Sequence, residues 1–207
     1  MQSNEVVDQG KWGICGFVAV LNALHQAGTL KEFGRNLTLE DIRNRLGAEL
    51  VTFLKIIEQE NQDIAKEIVV FTNSFGPPYN TYDRIDKFIT KIEEDLRKAP
   101  KDTEKIIDQG PKFGIAMTAN AVKLYLEKFA NFSIQEKQFS GSFNANNLPT
   151  YKNCVIGLGT DGQLKHWVYM DKGGHLYNWG KKGDLTALGR YNCINSIFEI
   201  QGTKSKK

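Results

Sequence analysis

Gln9-Gly10-Lys11-Trp12-Gly13-Ile14-Cys15-Gly16-Phe17 runs directly into Val18-Ala19-Val20-Leu21-Asn22-Ala23-Leu24, and the chain is organised around this junction. From Phe17 onward the apolar residues recur at helical spacing, and Gly28 is placed to end a helix. Glycines interrupt the preceding segment, which favours a loop over regular structure. The sequence therefore predicts a loop that delivers Cys15 to the first turn of a helix.

A cysteine at the start of a helix is a candidate nucleophile. The unpaired N–H groups and the partial positive charge of a helix start favour a thiolate over a thiol. The pKa of such a cysteine typically lies below its free value of about 8.5. The side-chain amide of Gln9 can turn toward the same point and donate to an oxyanion. The alternative interpretation is a small cysteine that only packs in a core, so a partner base is required before Cys15 is assigned a role.

Helical patterns fill the first two-thirds of the chain, and strand patterns fill the rest. Helices are predicted after Thr38, which is placed as an N-cap, from about 82 to 98, and from about 118 to 129. Strands are predicted at 133–139, 154–159, 165–170, 176–179 and 196–201, with Asp161-Gly162 as a hairpin turn. This segregation predicts one α+β domain over residues 1–207. A helical lobe of about residues 1–130 would precede an antiparallel sheet lobe of about residues 131–203.

Three histidines are candidates for the base. His25 lies on the same helix as Cys15, and at about 1.5 Å per residue it is roughly 15 Å away, so it cannot reach the thiol. His166 opens one predicted strand, and His175 opens the next. A three-residue hairpin loop would set His166 opposite Asn178 with both side chains on one face, whereas a two- or four-residue loop would turn Asn178 to the other face. In the first case the Asn178 amide oxygen accepts from one ring nitrogen and leaves the other facing the thiol.

Three segments resemble the active-site motifs of papain-like cysteine peptidases. Gln-Gly-x-x-Gly-x-Cys, residues 9–15, resembles their oxyanion-glutamine and nucleophile segment. His166-Trp167-Val168 is similar to their histidine strand, and Asn178-Trp179-Gly180 resembles their Asn-Ser-Trp-Gly, shortened by one residue. The order Gln, Cys, His, Asn is also theirs. The resemblance covers both ends of the chain, and residues 30–150 match no family motif.

Two positions depart from the papain pattern. Trp12 stands where that group usually has a disulfide cysteine, and Gly16 stands where it usually has a tryptophan. A glycine directly after the nucleophile is closer to the leader peptidases of bacteriocin exporters and to related bacterial toxin domains. Those exporter peptidases usually carry an aspartate as the third triad member, so Asn178 is nearer to papain.

The resemblance implies a papain-like fold with the active-site cleft between the two lobes. Cys15 as thiolate would attack a carbonyl carbon, while His166 would hold it as an ion pair and then protonate the leaving amine. Asn178 would orient the imidazole, and Gln9 with the Cys15 backbone N–H would hold the oxyanion.

The resemblance further implies an endopeptidase that acts on a protein substrate as an antibacterial effector. A cognate immunity protein would neutralise it in the producing cell, and cleavage would follow small residues such as Gly-Gly. Glutamine deamidation, transglutamination and cell-wall amide hydrolysis use the same triad and stay open as alternatives. A binding module that keeps the fold without activity is the non-enzymatic alternative.

Composition and charge bear on nucleic-acid, membrane and metal binding. The net charge of +3 on 207 residues is too small to predict nucleic-acid or membrane binding. The N-terminal segment lacks the basic and apolar runs of a signal peptide, so we expect a soluble protein that reaches its target by an effector route. The three cysteines include no CxxC pair, so a zinc site is not expected. No other metal and no cofactor is expected. Cys154 and Cys193 would pair only in an oxidising compartment, and reduced thiols are the favoured alternative.

Overall fold

The computed structural model describes residues 7, 9–10, 12–28, 39–98, 113–139, 143–183 and 185–204. Its helices are α1 (Cys15–Ala27), α2 (Leu39–Glu60), α3 (Gln62–Asn73), α4 (Ile85–Lys98) and α5 (Ala119–Leu124), and α5 continues as a π-helical turn over Tyr125–Phe129. Its strands are β1 (Phe132–Lys137), β2 (Cys154–Thr160), β3 (Gln163–Met170), β4 (Leu176–Asn178), β5 (Lys181–Lys182) and β6 (Cys193–Thr203). The fold is α+β, as predicted. The N-cap predicted at Thr38 lies outside the described residues. None of the described helices is both long and apolar enough to cross a membrane.

The strands form one antiparallel sheet in the order β1-β6-β2-β3-β4-β5. The predicted turn at Asp161-Gly162 joins β2 to β3, and both residues have positive φ (53° and 79°), which is the geometry of a type I′ hairpin. The strand predicted at 133–139 is β1, and it lies at the sheet edge. The last strand in the chain, β6, lies between β1 and β2.

Apolar side chains cover both faces of the sheet. One face packs against the helices in the main core, to which Val155, Trp167 and Phe198 contribute. The other face carries a second cluster around Ile156 and Val168. Both faces of the central strands are therefore buried, which explains why β2 is apolar along nearly its whole length.

Helix α1 is the part of the helical layer that positions the predicted nucleophile. It begins at Cys15, and every residue from Gly16 to Leu24 is buried. Gly28 ends it in the left-handed conformation (φ 67°), with its N–H donating to the His25 carbonyl over 3.1 Å. The predicted start and end of this helix are confirmed.

A buried asparagine in α1 holds the segment that precedes the nucleophile loop. The Val7 N–H donates to the Asn22 side-chain oxygen over 2.8 Å, and the Asn22 amide donates to the carbonyls of Val7 (3.3 Å) and Val18 (3.1 Å). Asn22→Ala is expected to lower the free energy of unfolding by about 2–4 kcal/mol, because it leaves both polar groups of Val7 buried and unpaired. Urea denaturation measures this loss. Asn195→Ala, at an exposed position of β6, should change stability by less than about 0.5 kcal/mol, and an equal loss in both variants would contradict the prediction.

Cys154 is the first residue of β2 and Cys193 the first of β6, and both have free thiols. Cys154 is paired with Glu199 of β6, whereas Cys193 is paired with Gly159, five residues further along β2. At about 3.3 Å per residue this separates them by roughly 16 Å, well beyond the span of a disulfide. The two cysteines therefore do not pair in this fold.

Candidate active site

A short parallel bridge fixes the loop in front of Cys15. The Gly13 N–H donates to the Phe113 carbonyl over 2.6 Å, and the Gly13 carbonyl accepts from the Ile115 N–H over 3.0 Å. A Cβ added to Gly114 would lie only 2.5 Å from the ring of Tyr79 and 3.2 Å from the Gly13 carbonyl oxygen, so only glycine fits between the ring and the nucleophile loop. The segment 113–117 is thus a wall of the site, which nothing in the sequence around Cys15 indicates.

Gly16 lets the start of α1 approach β3 closely. A Cβ at Gly16 would lie 2.8 Å from the Met117 Cβ and 3.1 Å from the Trp167 ring. The Trp167 indole N–H donates to the Met117 carbonyl over 2.8 Å, which locks these three residues together. This contact explains why a glycine, and not a larger residue, follows the cysteine.

The edge of β3 beside α1 is open at this point. Strand β4 pairs with Tyr169 and Met170 of β3, and within the described part of the chain no strand pairs with Trp167 on that side. The Trp167 backbone N–H is near enough to the Cys15 sulfur to lower the pKa of the thiol. The backbone next to His166 therefore lies beside the predicted nucleophile.

His166 and Asn178 are in direct contact, with 2.6 Å between the histidine Nε2 and the asparagine Oδ1. The register that brings them together differs from the predicted one. Met170 pairs with Leu176, so the loop has five residues and not three. The difference of two residues keeps both side chains on the same face, because side chains alternate with a period of two. The predicted contact is confirmed, and the predicted loop length is wrong.

The protonation of His166 follows from this bond. An amide oxygen can only accept, so Nε2 carries the proton and donates it to Asn178. Nδ1 is left with a free lone pair. His166 is buried (5 % exposed), whereas His175 is exposed in the hairpin loop and hydrogen-bonded to Asp171. The other candidate, His25, lies in the last turn of α1.

Two aromatic rings enclose the His166 imidazole. Trp179 stacks on it at 4.7 Å between ring centroids, and Tyr191 does so at 5.6 Å with the planes only 8° apart. The predicted strand 176–179 includes Trp179, but β4 ends one residue earlier, at Asn178. Trp179 is half-buried in the two-residue β4–β5 turn, with φ at 45° followed by Gly180 at 68°. A bulky residue rarely adopts positive φ, and the strained turn presents the indole to the histidine.

Burial sets the pKa values of the pair. It raises the pKa of the Cys15 thiol to about 11, although N–H groups of Trp167, Gly16 and Cys15 itself oppose the shift. It lowers the pKa of His166 to about 4, with the Asn178 bond opposing the shift and the nearby Arg190 adding to it. The predicted low pKa of Cys15 is therefore wrong, because loss of water outweighs the helix N-terminus. The resting pair is a neutral thiol and a neutral imidazole.

A cavity of about 150 Å³ opens onto these groups. Gln9, Cys15 and His166 all line it, and Asn178 lies behind the imidazole. Apolar and aromatic side chains form most of its remaining wall, including Phe71, Phe75, Tyr79, Met117, Leu164, Trp167 and Trp179. The predicted oxyanion, nucleophile and base residues thus come together at one cavity, from segments 150 residues apart.

Several residues of the site carry no signal in the sequence. Arg190, Tyr191 and Thr72 line the cavity from segments that match no motif. Only long-range packing brings these three residues to the cavity.

Among the described residues, no three Asp, Glu, His or Cys side chains are grouped so that they could hold a metal ion. Comparisons with protein-family models, with curated proteins and with solved structures find no match to this chain.

Alkylation of Cys15 reports its protonation state. Because burial holds its pKa near 11, the thiol is protonated at pH 7, and we expect slow reaction with iodoacetamide that accelerates as pH rises above 9. Mass spectrometry of the Cys15 peptide between pH 6 and 11 measures the rate, and the peptide containing the half-exposed Cys193 monitors the reagent. A labelling midpoint below 8.5 would instead indicate a resting thiolate.

Proposed function

We propose that the protein is a papain-like cysteine peptidase that cleaves peptide bonds through a thioester on Cys15. The observation that carries this proposal is the 2.6 Å bond between His166 and Asn178, which leaves the histidine Nδ1 free beside the cavity that Cys15 also lines. A nucleophile, a base and a group that orients the base are the parts that acyl transfer requires. The motifs at residues 9–15, 166–168 and 178–180 support the same assignment.

The pKa values favour general-base attack over a preformed ion pair. His166 Nδ1 takes the Cys15 proton as the sulfur attacks the carbonyl carbon, and the imidazolium then gives that proton to the leaving amine. Water next attacks the thioester, with His166 again as base, and this step releases the acid and restores the thiol. Asn178 keeps the imidazole in the required tautomer throughout, and the Trp179 and Tyr191 rings fix its plane.

The oxyanion would be held at the start of α1. The Cys15 N–H and the Gln9 side-chain amide are the proposed donors, and both residues line the cavity. Gln9 lies in a tight turn, in which its carbonyl accepts from the Trp12 N–H over 3.1 Å and Gly10 has a positive φ of 55°. This turn ties the Gln9 backbone to the nucleophile loop.

Gln9→Ala is expected to lower kcat by about 10²–10³-fold, the usual cost of losing one oxyanion donor. KM should change little, because the donor acts on charge that develops only in the transition state. Steady-state kinetics on a cleaved peptide measure both constants. Gln201→Ala, an exposed glutamine on β6, is the matched control. A Gln9→Ala enzyme with full kcat would remove Gln9 from the mechanism.

The biological setting that we propose is an antibacterial effector with a cognate immunity protein, acting on a protein of the target cell. Cleavage after small residues such as Gly-Gly belongs to this proposal. It is supported by the resemblance of the Cys15-Gly16 step to exporter leader peptidases and toxin domains.

The test of the function is incubation with a denatured bacterial proteome, followed by mass spectrometry of new amino termini. New termini that depend on the protein support peptide hydrolysis. A one-dalton gain on glutamines of intact proteins would assign the triad to deamidation instead. A proteome that stays unchanged would contradict both assignments.

A further inference from the structure

Arg190 is a fixed cation at the wall of the active-site cavity. Its guanidinium carbon lies 4.5 Å from the centroid of the Trp179 ring and 5.1 Å from that of Tyr191. The guanidinium also lies near the Tyr191 hydroxyl, where its charge opposes the rise that burial causes in the pKa of that group. These are the two rings that enclose His166, so one aromatic pair positions both the base and the cation.

No carboxylate among the described residues forms an ion pair with Arg190. The residue is exposed, lines the cavity and presents a planar fork of donors whose geometry suits a carboxylate. The second cation at the cavity, Lys165, also forms no ion pair with a described carboxylate, but it lacks the planar fork and already donates to a side chain. Its ammonium donates to the Gln163 side chain over 3.0 Å and lies 5.4 Å from the Phe75 ring centroid. Arg190 is therefore the cation that is both oriented and available for a ligand.

The charge of Arg190 opposes the imidazolium that the reaction must form. Its field lowers the pKa of His166, in addition to the larger effect of burial. A negative group bound to the guanidinium would offset this field during the reaction. The imidazole protonates the leaving amine, so the part of the substrate nearest to His166 and Arg190 is the leaving-group side of the scissile bond.

We infer that Arg190 binds a substrate carboxylate on the leaving-group side of the scissile bond and so selects acidic substrates. This inference rests on the proposed peptidase function. The carboxylate has two sources, an acidic side chain shortly after the cleaved bond or the free carboxyl terminus of the substrate. Both present the same planar anion to the guanidinium.

Matched peptides test the inference and separate the two sources. One pair, built on a sequence cleaved in the proteome, differs by Glu or Gln directly after the scissile bond. A second pair ends two residues after that bond as a free acid or an amide. We expect kcat/KM at least about tenfold higher for the charged member of one pair, since a guanidinium binds a carboxylate by two charge-assisted hydrogen bonds that the neutral amide cannot reproduce. Arg190→Gln should bring that ratio to near one, whereas Arg97→Gln, an exposed arginine of α4, should preserve it. A preference for the charged peptide that is unchanged in Arg190→Gln would overturn the inference.

A second readout does not require peptide cleavage. Iodoacetate and iodoacetamide alkylate Cys15 by the same substitution but differ in charge. We expect Arg190→Gln to lower the iodoacetate-to-iodoacetamide rate ratio by about fivefold through the lost attraction, with no change in Arg97→Gln. If this ratio falls while no peptide is cleaved, the anion site stands and the peptidase proposal fails. If the ratio is equal in all three proteins, the inference fails even where peptides are cleaved.

Discussion

Replacing Cys15 by alanine is expected to reduce peptide cleavage to background, a loss of about 10⁴–10⁶-fold in kcat. The sulfur forms the covalent bond of the proposed thioester, and no other described thiol lines the cavity. Hydrolysis of a fluorogenic peptide, calibrated with active-site alkylation, measures the loss. Alanine is an excellent helix former, so α1 should still begin at residue 15.

The other cysteines provide the control for this variant. Cys193→Ala removes a thiol that is half-exposed on β6 and should keep full activity. Thermal unfolding of Cys15→Ala should lie within a few degrees of the unmodified protein, which excludes loss of fold as the cause. Turnover that persists in a folded Cys15→Ala protein would remove the thioester mechanism and would leave the cavity as a binding site.

Replacing His166 by alanine is expected to change both the rate and its pH dependence. With a pKa near 11, only about one Cys15 thiol in 10⁴ is ionised at pH 7 when no base assists. The kcat/KM of the variant should therefore be about 10⁴-fold lower at pH 7 and should rise about tenfold per pH unit as the pH increases. The unmodified protein should show a nearly flat profile of kcat/KM from pH 5 to 9 and lose activity below about pH 4, where His166 becomes protonated.

Burial determines the direction of both pH effects, because it disfavours the thiolate form of Cys15 and the imidazolium form of His166. Measuring kcat/KM from pH 3.5 to 10.5 for the two proteins tests the prediction. His175→Ala changes the exposed histidine of the hairpin loop and should leave the profile as it is. Parallel profiles in the unmodified protein and His166→Ala would mean that the imidazole is not the base.

The sequence was sufficient where the decisive interactions are local. The end of helix α1 could be predicted because it depends on one residue, Gly28, which directly follows the helix and adopts the left-handed conformation. Asp161-Gly162 forms its turn for the same kind of reason. The contact between His166 and Asn178 depends on a longer segment, yet it survives a wrong loop length because the alternation of side chains tolerates a shift of two.

Prediction from the sequence failed for two properties that depend on desolvation and long-range packing, the pKa of Cys15 and the conformation at Trp179. The pKa of Cys15 depends on the walls that surround it, including the segment 113–117, which is 100 residues away in the chain. The strained turn at Trp179 is stabilised by stacking on His166 and Arg190, so the intrinsic preference for a strand gave the wrong conformation. No short-range pattern contains these contacts.

The strand order described above has a consequence for the protein as it leaves the ribosome. Strand β6 lies between β1 and β2. The edges of β1 and β2 that face it therefore stay unpaired until the chain has been synthesised through Thr203. Cys15 is translated early and His166 much later, while the sheet that supports the histidine is completed last. Under the proposed mechanism, a nascent chain would therefore carry the Cys15 thiol without a positioned base until β6 has paired.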